Sequence, residues 1–465
     1  MKATKRWFEQ FLFYDYTGIE RHLEKMAARG WQLHKITHLY WEYRRTEPRK
    51  LTYTVTYLSE ASEFNPYPTE NQQTFHEYCE GAGWNLVAEW AQMQIFYAEW
   101  ETPTPIETDE SVKLKAIHRA MKKNFLPSSM FMLLLSLSQI ILQFHIITRD
   151  PVDQLSNAAV LFTATIWNIL AIQMLIPLIG YAIWYRKSKK AVSIGGTCVE
   201  SSGGYKKISY FLWLLVGIAM VLAVFSMSSQ LFGLGAIWGI ANATVLIAMV
   251  FIIKNTLKRA KASRRVNLTV TMVSCVILSF VLTGAMVWGI FRGVNAGWFG
   301  NEPDETYTAT MPNGSAHTWD IYHDPLPLTV EDLQDVDYDH YSYRWTPRES
   351  FLLAQFVARQ DSIPDGRRVP ELRYEIVKVK LPALFDLCLH DYLDKYDWDV
   401  PEEDERPLQR TDDPAWQADA VYQFYFGDEA IPEYILCWGN RIVNIEFDEV
   451  PTAEQIAIAV EKLSK

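Results

Sequence analysis

Tyr210-Phe-Leu-Trp-Leu-Leu-Val-Gly-Ile-Ala-Met-Val-Leu-Ala-Val-Phe-Ser226-Met-Ser-Ser-Gln230-Leu-Phe-Gly-Leu-Gly235-Ala-Ile-Trp-Gly239-Ile-Ala-Asn242-Ala-Thr-Val-Leu-Ile-Ala-Met-Val-Phe-Ile-Ile253 runs for more than 40 residues without a charged side chain. A helix rises about 1.5 Å per residue, so about 20 apolar residues cross a hydrocarbon core of ~30 Å. This stretch is too long for one crossing and must turn back. Ser226-Met-Ser-Ser-Gln230 is its polar segment and the natural place for the turn.

Outward from this pair lie three more apolar runs, at 127–147, 158–185 and 268–291. Whole-chain averages hide them, because net charge −11 and mean hydropathy −0.07 describe an ordinary acidic soluble protein. By segment, residues 1–127 hold 16 Lys/Arg against 17 Asp/Glu, residues 128–291 hold 13 against 3, and residues 292–465 hold 15 against 35. Five long apolar runs with so few acids between them argue against buried helices of a soluble protein. The expected plan is therefore a cytoplasmic α+β domain at 1–112, a basic amphipathic linker at 113–126, an all-α bundle of five transmembrane helices at 127–291, and an acidic extracytoplasmic α+β domain at 292–465.

Orientation follows from the short loops, since positive charge resists translocation. Lys113, Lys115, Arg119, Lys122 and Lys123 precede the first run. Arg186, Lys187, Lys189, Lys190, Lys206 and Lys207 separate the second from the third, and Lys254, Lys258, Arg259, Lys261, Arg264 and Arg265 the fourth from the fifth. The other two loops hold only Arg149, beside Asp150 and Asp153. The start MKATKRWFEQFLFYDYT lacks the apolar core of a signal peptide. The N-terminus is expected in the cytoplasm of a cell-membrane protein, the C-terminus outside.

No ionisable residue falls near a span centre, where a proton or ion path would place one; His145 reads as interfacial. The polar residues are the amides Gln139, Gln143, Asn168, Gln173 and Asn242, which suit bonds between helices. Gly235-Ala-Ile-Trp-Gly239 has the spacing that lets two backbones approach, a weak signal for helix packing or a homodimer.

Residues 7–101 read as a duplication. Thr17–Gly30 carries Ile19, Leu23, Met26 and Ala27 at helical spacing and stops at glycine; Trp31 opens an aromatic alternation through Tyr40-Trp-Glu-Tyr43. Thr74–Gly83 is a second such helix, and Trp84 opens a run through Phe96 to Trp100. With strands expected at 6–14 and 51–58, the order approaches βαββαβ, and a ferredoxin-like sandwich is the expected fold. The Gly-Trp positions Trp31 and Trp84 are candidate interaction surfaces. His22, His34 and His38 raise a metal site, but His34 and His38 lie far apart along a strand, and exposed or hydrogen-bonded histidines are the simpler reading. No cofactor is expected.

The helix end Met26-Ala-Ala-Arg-Gly-Trp31, the strand Tyr40-Trp-Glu-Tyr43 and the second helix end Cys79-Glu-Gly-Ala-Gly-Trp84 resemble the cytoplasmic domain of an uncharacterised membrane-protein family of Gram-positive bacteria, catalogued as a domain of unknown function (DUF 2812). The resemblance covers about the first quarter of the chain. Members are often encoded beside PadR-type transcriptional repressors, which implies a regulated envelope role and a PadR-type protein as cytoplasmic partner. It brings no catalytic residues.

In the last segment, Tyr434–Phe447 reads as a hairpin turning at Gly439-Asn440, Thr452-Ala-Glu-Gln455 as a capping box, and 381–396 as a helix with Leu384, Phe385, Leu387, Cys388 and Leu393 inward. Asn313-Gly314 resembles a tight turn and forms a sequon with Ser315. Asp335-Val-Asp-Tyr-Asp339 and 397–405 are acidic and read as solvated loops; the first alternates carboxylates like a calcium loop but lacks its glycine and distal glutamate. Five scattered cysteines give no CxxC; Cys388 and Cys437 are either bridged or two buried thiols. Hydrolase, Walker and dinucleotide patterns are absent from the sequence.

These features favour a sensory, regulatory or scaffolding membrane protein. A transporter component, with Asn168, Gln173 and Asn242 lining one cavity, is the alternative, and a membrane-anchored extracytoplasmic hydrolase is the third reading. The near-neutral N-terminal segment and the membrane-abutting basic loops argue against direct nucleic-acid binding and for contact with the lipid bilayer.

Overall fold

The computed structural model describes residues 4–37, 40–99, 103–201, 204–225, 230–296, 302–310, 316–363, 369–394, 408–427 and 429–465. The chain divides into two compact units. One comprises residues 1–140, 165–221 and 234–292, and the other 141–164, 222–233 and 293–465.

The first unit opens with β1 (Thr4–Trp7), α1 (Tyr16–Ala28), β2 (Trp31–Ile36), β3 (Trp41–Arg45), β4 (Thr52–Tyr57), α2 (Glu70–Gly81), β5 (Asn85–Trp90) and β6 (Met93–Ala98). The duplication is real in detail. Each helix ends at a glycine with positive φ, Gly30 (+77°) and Gly83 (+86°), followed by a tryptophan: Trp31 starts β2 and Trp84 immediately precedes β5. Each of those strands bulges at the same place, after Leu33 in one repeat and after Leu86 in the other.

The pairing differs from the expected ferredoxin-like sheet. Two separate antiparallel sheets form, β1-β3-β2 and β4-β6-β5. Each repeat is a βαββ unit whose last strand lies between its first two. The local hairpins explain this: β5 and β6 are joined by only Ala91-Gln92, so each repeat completes its sheet internally. The expected strand at 6–14 is also shorter, because Phe11–Tyr14 leave β1 and three of them enter the core. Helix α1 serves both repeats. Ile19, Leu23 and Met26 fill the core, while Glu20 accepts the Val55 N–H at 2.8 Å on the open edge of β4. A carboxylate on an edge amide blunts strand addition by another chain.

Gly30 is required where it stands. A Cβ there would lie 2.7 Å from the Thr46 carbonyl oxygen, on a left-handed backbone. Gly30→Ala should therefore destabilise this domain by more than the roughly 1–2 kcal/mol of left-handed strain alone. Gly195→Ala, equally left-handed but in open space, should cost only the strain. Thermal melts of the two full-length variants make the comparison.

Among the described residues, five helices are long and apolar enough to cross a membrane. The segment expected as a linker is instead α3 (Glu110–Ala120), followed by one π turn (Met121–Phe125) and then α4 (Leu126–Arg149). Leu114, Ile117, Ala120 and Met121 are buried in the N-terminal core, so the first span begins inside the domain. Next come α5 (Pro151–Ser156), α6 (Ala158–Ser193), α7 (Tyr205–Phe225), α8 (Gln230–Arg259) and α9 (Arg264–Asn295). Ile169 of α6 packs with Leu212 and Val216 of α7.

The second unit contains β7 (Glu305–Thr310), β8 (Ala316–Ile321), α10 (Val330–Leu333), β9 (Tyr341–Glu349), β10 (Leu353–Ser362), β11 (Leu372–Val379), α11 (Phe385–Asp394), β12 (Leu408–Thr411), β13 (Ala420–Phe426), β14 (Glu429–Trp438), β15 (Arg441–Phe447) and α12 (Ala453–Leu463). β7 and β8 pair as a hairpin, and the remaining strands form one antiparallel sheet, β12-β13-β14-β15-β11-β10-β9. Period-two alternation assigns its faces. Tyr434, Leu436, Val443 and Ile445 meet α12, whereas Ile435, Cys437 and Ile442 meet α11 and α5. The hairpin at Gly439 and the Thr452 capping box form as read. Cys388 and Cys437 are buried free thiols, pushed by burial up to about 12 and about 11. The Asn313-Gly314 turn and the acidic stretch 397–405 lie outside the described residues. Asp335, Asp337 and Asp339 are exposed around a buried Tyr338, the alternation of an extended segment.

Candidate functional site

A set of long-range polar contacts in the first unit joins the βαββ repeats to the ends of the long apolar helices. It begins at Glu9, just after β1, whose side chain is only 1% exposed. Lys206, at the start of α7, donates to Glu9 Oε2, and His22 Nε2 of α1 stands 3.1 Å from Oε1. Burial alone would raise the Glu9 carboxyl, but the hydrogen bonds and charges of His22 and Lys206 outweigh it and hold the group below its ordinary range. Beside it, the Tyr210 hydroxyl donates to the Phe8 carbonyl at 2.6 Å. Gln173 of α6 donates to Ser209 of α7 at 2.7 Å, tying these two spans together beneath the domain.

A second contact holds the ends of α8 and α9. Lys254 Nζ lies 2.9 Å from Glu63 Oε2, and the buried Asn267 amide donates at 3.2 Å to the Phe64 carbonyl and, at the same distance, to that of Lys254. A third involves α6. His118 of α3 bonds the Tyr181 hydroxyl at 2.6 Å and stacks on Tyr185 at 4.2 Å. Tyr14 packs on Tyr181 and Trp184. It reaches them because residue 180 is glycine; a Cβ there would stand 2.8 Å from the Tyr14 hydroxyl. The loop after α6 joins in, with the Cys198 N–H donating to Glu110 at 2.8 Å. Each of the three basic sequence segments thus meets the N-terminal domain. Together these contacts join the N-terminal domain to the ends of α6, α7, α8 and α9 through side-chain and backbone hydrogen bonds and ion pairs.

The expected site residues separate. Trp84 is 3% exposed in a core with Cys79 and Phe96, its indole donating to the Thr104 carbonyl at 2.9 Å. Trp31 is half-buried between Lys5 and Arg45, with cations 5.3 Å and 5.1 Å from its ring. Of the two, Trp31 is the one that keeps exposed area. Gly235 and Gly239 lie on α8, and nothing stands within 4 Å of a Cβ at Gly239. His34 is exposed, His22 faces Glu9 and Tyr43, and His38 lies outside the described residues. Asn168 is exposed while Gln173 is buried against Ser209, so these two amides are placed differently on α6. Sequence reading missed Glu9, Glu63 and Asn267.

In the second unit, helix α5 from the loop between the first two spans is built into the sheet. Ser156 donates to Gln355 Oε1 at 2.8 Å, Ser350 Oγ donates to the Leu155 carbonyl at 2.6 Å, and Arg348 pairs with Asp153 at 2.9 Å. A cavity of about 420 Å³ beside it is lined by Asp153, Glu375, His390, Asp391 and Tyr392. Three of its carboxylates are engaged: the Gln355 amide donates to Asp153 and Glu375 at 2.6 and 2.7 Å, and the Val152 N–H reaches Asp391 at 3.3 Å. Among the described residues no group of three or more His, Cys, Asp or Glu could hold a metal.

Residues 15–129 match a family described as protein of unknown function (DUF2812). No curated protein and no solved structure matches the chain.

Proposed function

We propose that this multi-pass membrane protein is sensory or regulatory, and that the junction around Glu9 couples the arrangement of its spans to the N-terminal domain. The single observation carrying this is that Glu9, nearly without solvent exposure, is held by a lysine from a membrane helix and a histidine from the domain. Flexible tethering would leave such a carboxylate in water, because burying a charge is costly unless it is paired. In this reading the N-terminal domain is cytoplasmic and the acidic C-terminal domain outside, in a cell membrane. Two observations support that orientation. The N-terminal domain engages the helix ends that adjoin the basic loops, and the C-terminal sheet holds the sparsely charged loop between α4 and α6.

The cytoplasmic output is a protein partner, with the PadR-type repressor as the specific candidate and half-buried Trp31 as the contact. Photocrosslinking from position 31 in intact cells tests this. The expected result is one major adduct, lost when Lys5 and Arg45 are both changed to glutamate. Absence of any adduct at position 31 and at two further exposed sites on the domain would sink the reading. The transporter alternative requires Asn168, Gln173 and Asn242 to share a path, and the bonding of Gln173 to Ser209 speaks against it.

A further inference from the structure

The N-terminal unit contains a cavity of about 460 Å³ where the loop 61–68 meets the charged end of α8. Three lysines line it, Lys35 from β2 and Lys254 and Lys258 from α8, against two carboxylates, Glu63 and Glu89. Both acids are engaged, Glu63 with Lys254 at 2.9 Å and Glu89 with the Gln72 amide at 2.6 Å, which leaves the cavity an excess of one positive charge. Asn65 also lines it. That side chain is 8% exposed, and its amide nitrogen has no hydrogen-bond partner. A buried amide donor without an acceptor costs about 1–3 kcal/mol, so a fold that keeps one beside lysines is prepared for an anion's oxygens.

The depth of the site narrows the anion's chemistry. Lys254 is the first charge after the uncharged run that ends at Ile253, which places the cavity at headgroup level in a bilayer. Phe251, one turn earlier on α8, and Tyr67 give it an apolar flank. The loop is held rigidly, since Asn267 binds both the Phe64 and Lys254 carbonyls. We infer that this cavity binds the phosphate of an anionic phospholipid headgroup, with Lys35, Lys258 and the Asn65 amide as its donors. The inference does not depend on what the junction signals.

Full-length protein in nanodiscs of phosphatidylcholine, with or without phosphatidylglycerol, is the material for the test. Native mass spectrometry after release into mild detergent counts the retained lipid. One phosphatidylglycerol should be retained by the wild type. Each lysine is worth a factor of five or six near an anionic surface, so Lys35→Gln with Lys258→Gln should weaken retention roughly thirtyfold. Lys207→Gln, an exposed lysine outside the cavity, should leave it unchanged. Asn65→Asp keeps the side-chain volume and replaces the donor with a negative acceptor; it should reduce retention while the melting profile confirms folding. Inorganic phosphate forms the other arm. Displacement of the lipid by millimolar phosphate supports phosphate recognition, whereas phosphate binding without lipid retention overturns the lipid as its source. Equal retention by wild type and the double-lysine variant overturns the site.

Discussion

Glu9→Ala should loosen the N-terminal domain from the membrane helices, at about 2–3 kcal/mol. Removing one partner of a fully buried ion pair costs about 3–5 kcal/mol. The lower figure applies because Lys206 keeps a third of its side-chain exposure. Hydrogen exchange of residues 4–15 and of the start of α7 should rise together in the variant. Lys206→Met should produce the same pattern, and the double variant should be less destabilised than the sum of the two, as coupled partners are. Full additivity would show that Glu9 and Lys206 do not act as a pair. The pH dependence has a definite sign. Because the Glu9 carboxyl is held below its ordinary value near 4.5, the junction's contribution is complete above that pH and fades as the solution is acidified through the lower folded value.

Glu20 should do the opposite. Burial pushes its carboxyl up to about 7, the Val55 N–H and Lys113 offsetting only part of the effect and Glu24 and Glu107 adding to it. A carboxyl raised on folding binds more protons in the native state, so stability falls as pH rises from about 4.5 through 7. At about 1.4 kcal/mol per unit, the loss is on the order of 3 kcal/mol by pH 8. Glu20→Gln keeps an oxygen for the Val55 amide and removes the ionisation. Melts of the variant across pH 5 to 8 should be nearly flat where the wild type declines. Parallel curves would exclude Glu20 as the source.

The spans were legible because hydropathy over 20 residues is a local property, and the five runs match α4, α6, α7, α8 and α9 closely. The repeats were legible for a similar reason: a helix, a glycine and a tryptophan recur in order. Sheet pairing was not, since the expected order βαββαβ merges strands of the actual βαβββαββ, which forms two βαββ sheets, and the short Ala91-Gln92 connection is what keeps β5 and β6 in one of them. Trp84 and Trp31 look alike in sequence, yet one fills a core and the other lies between two cations. The junction was the least legible part. Glu9 and Lys206 are 197 positions apart, and Asn267 and Phe64 are 203 apart. No periodic pattern announces a pair of single polar residues at that separation.

The π turn at Met121–Phe125 bears on how this chain tolerates change. Successive residues of an α-helix are offset by about 100° around its axis. A one-residue insertion in a rod that begins in the N-terminal core and continues as a long apolar helix would ordinarily rotate one end against the other. A π turn already accommodates one surplus residue as a local widening. Deleting a residue from Met121–Phe125 can collapse the turn to regular α-helix with both ends keeping their facing, whereas a deletion within Ser129–Gln139 has no slack to absorb it and must swing the later part of α4 around. The rod therefore has a built-in length tolerance at one place only, on the domain side of the first span.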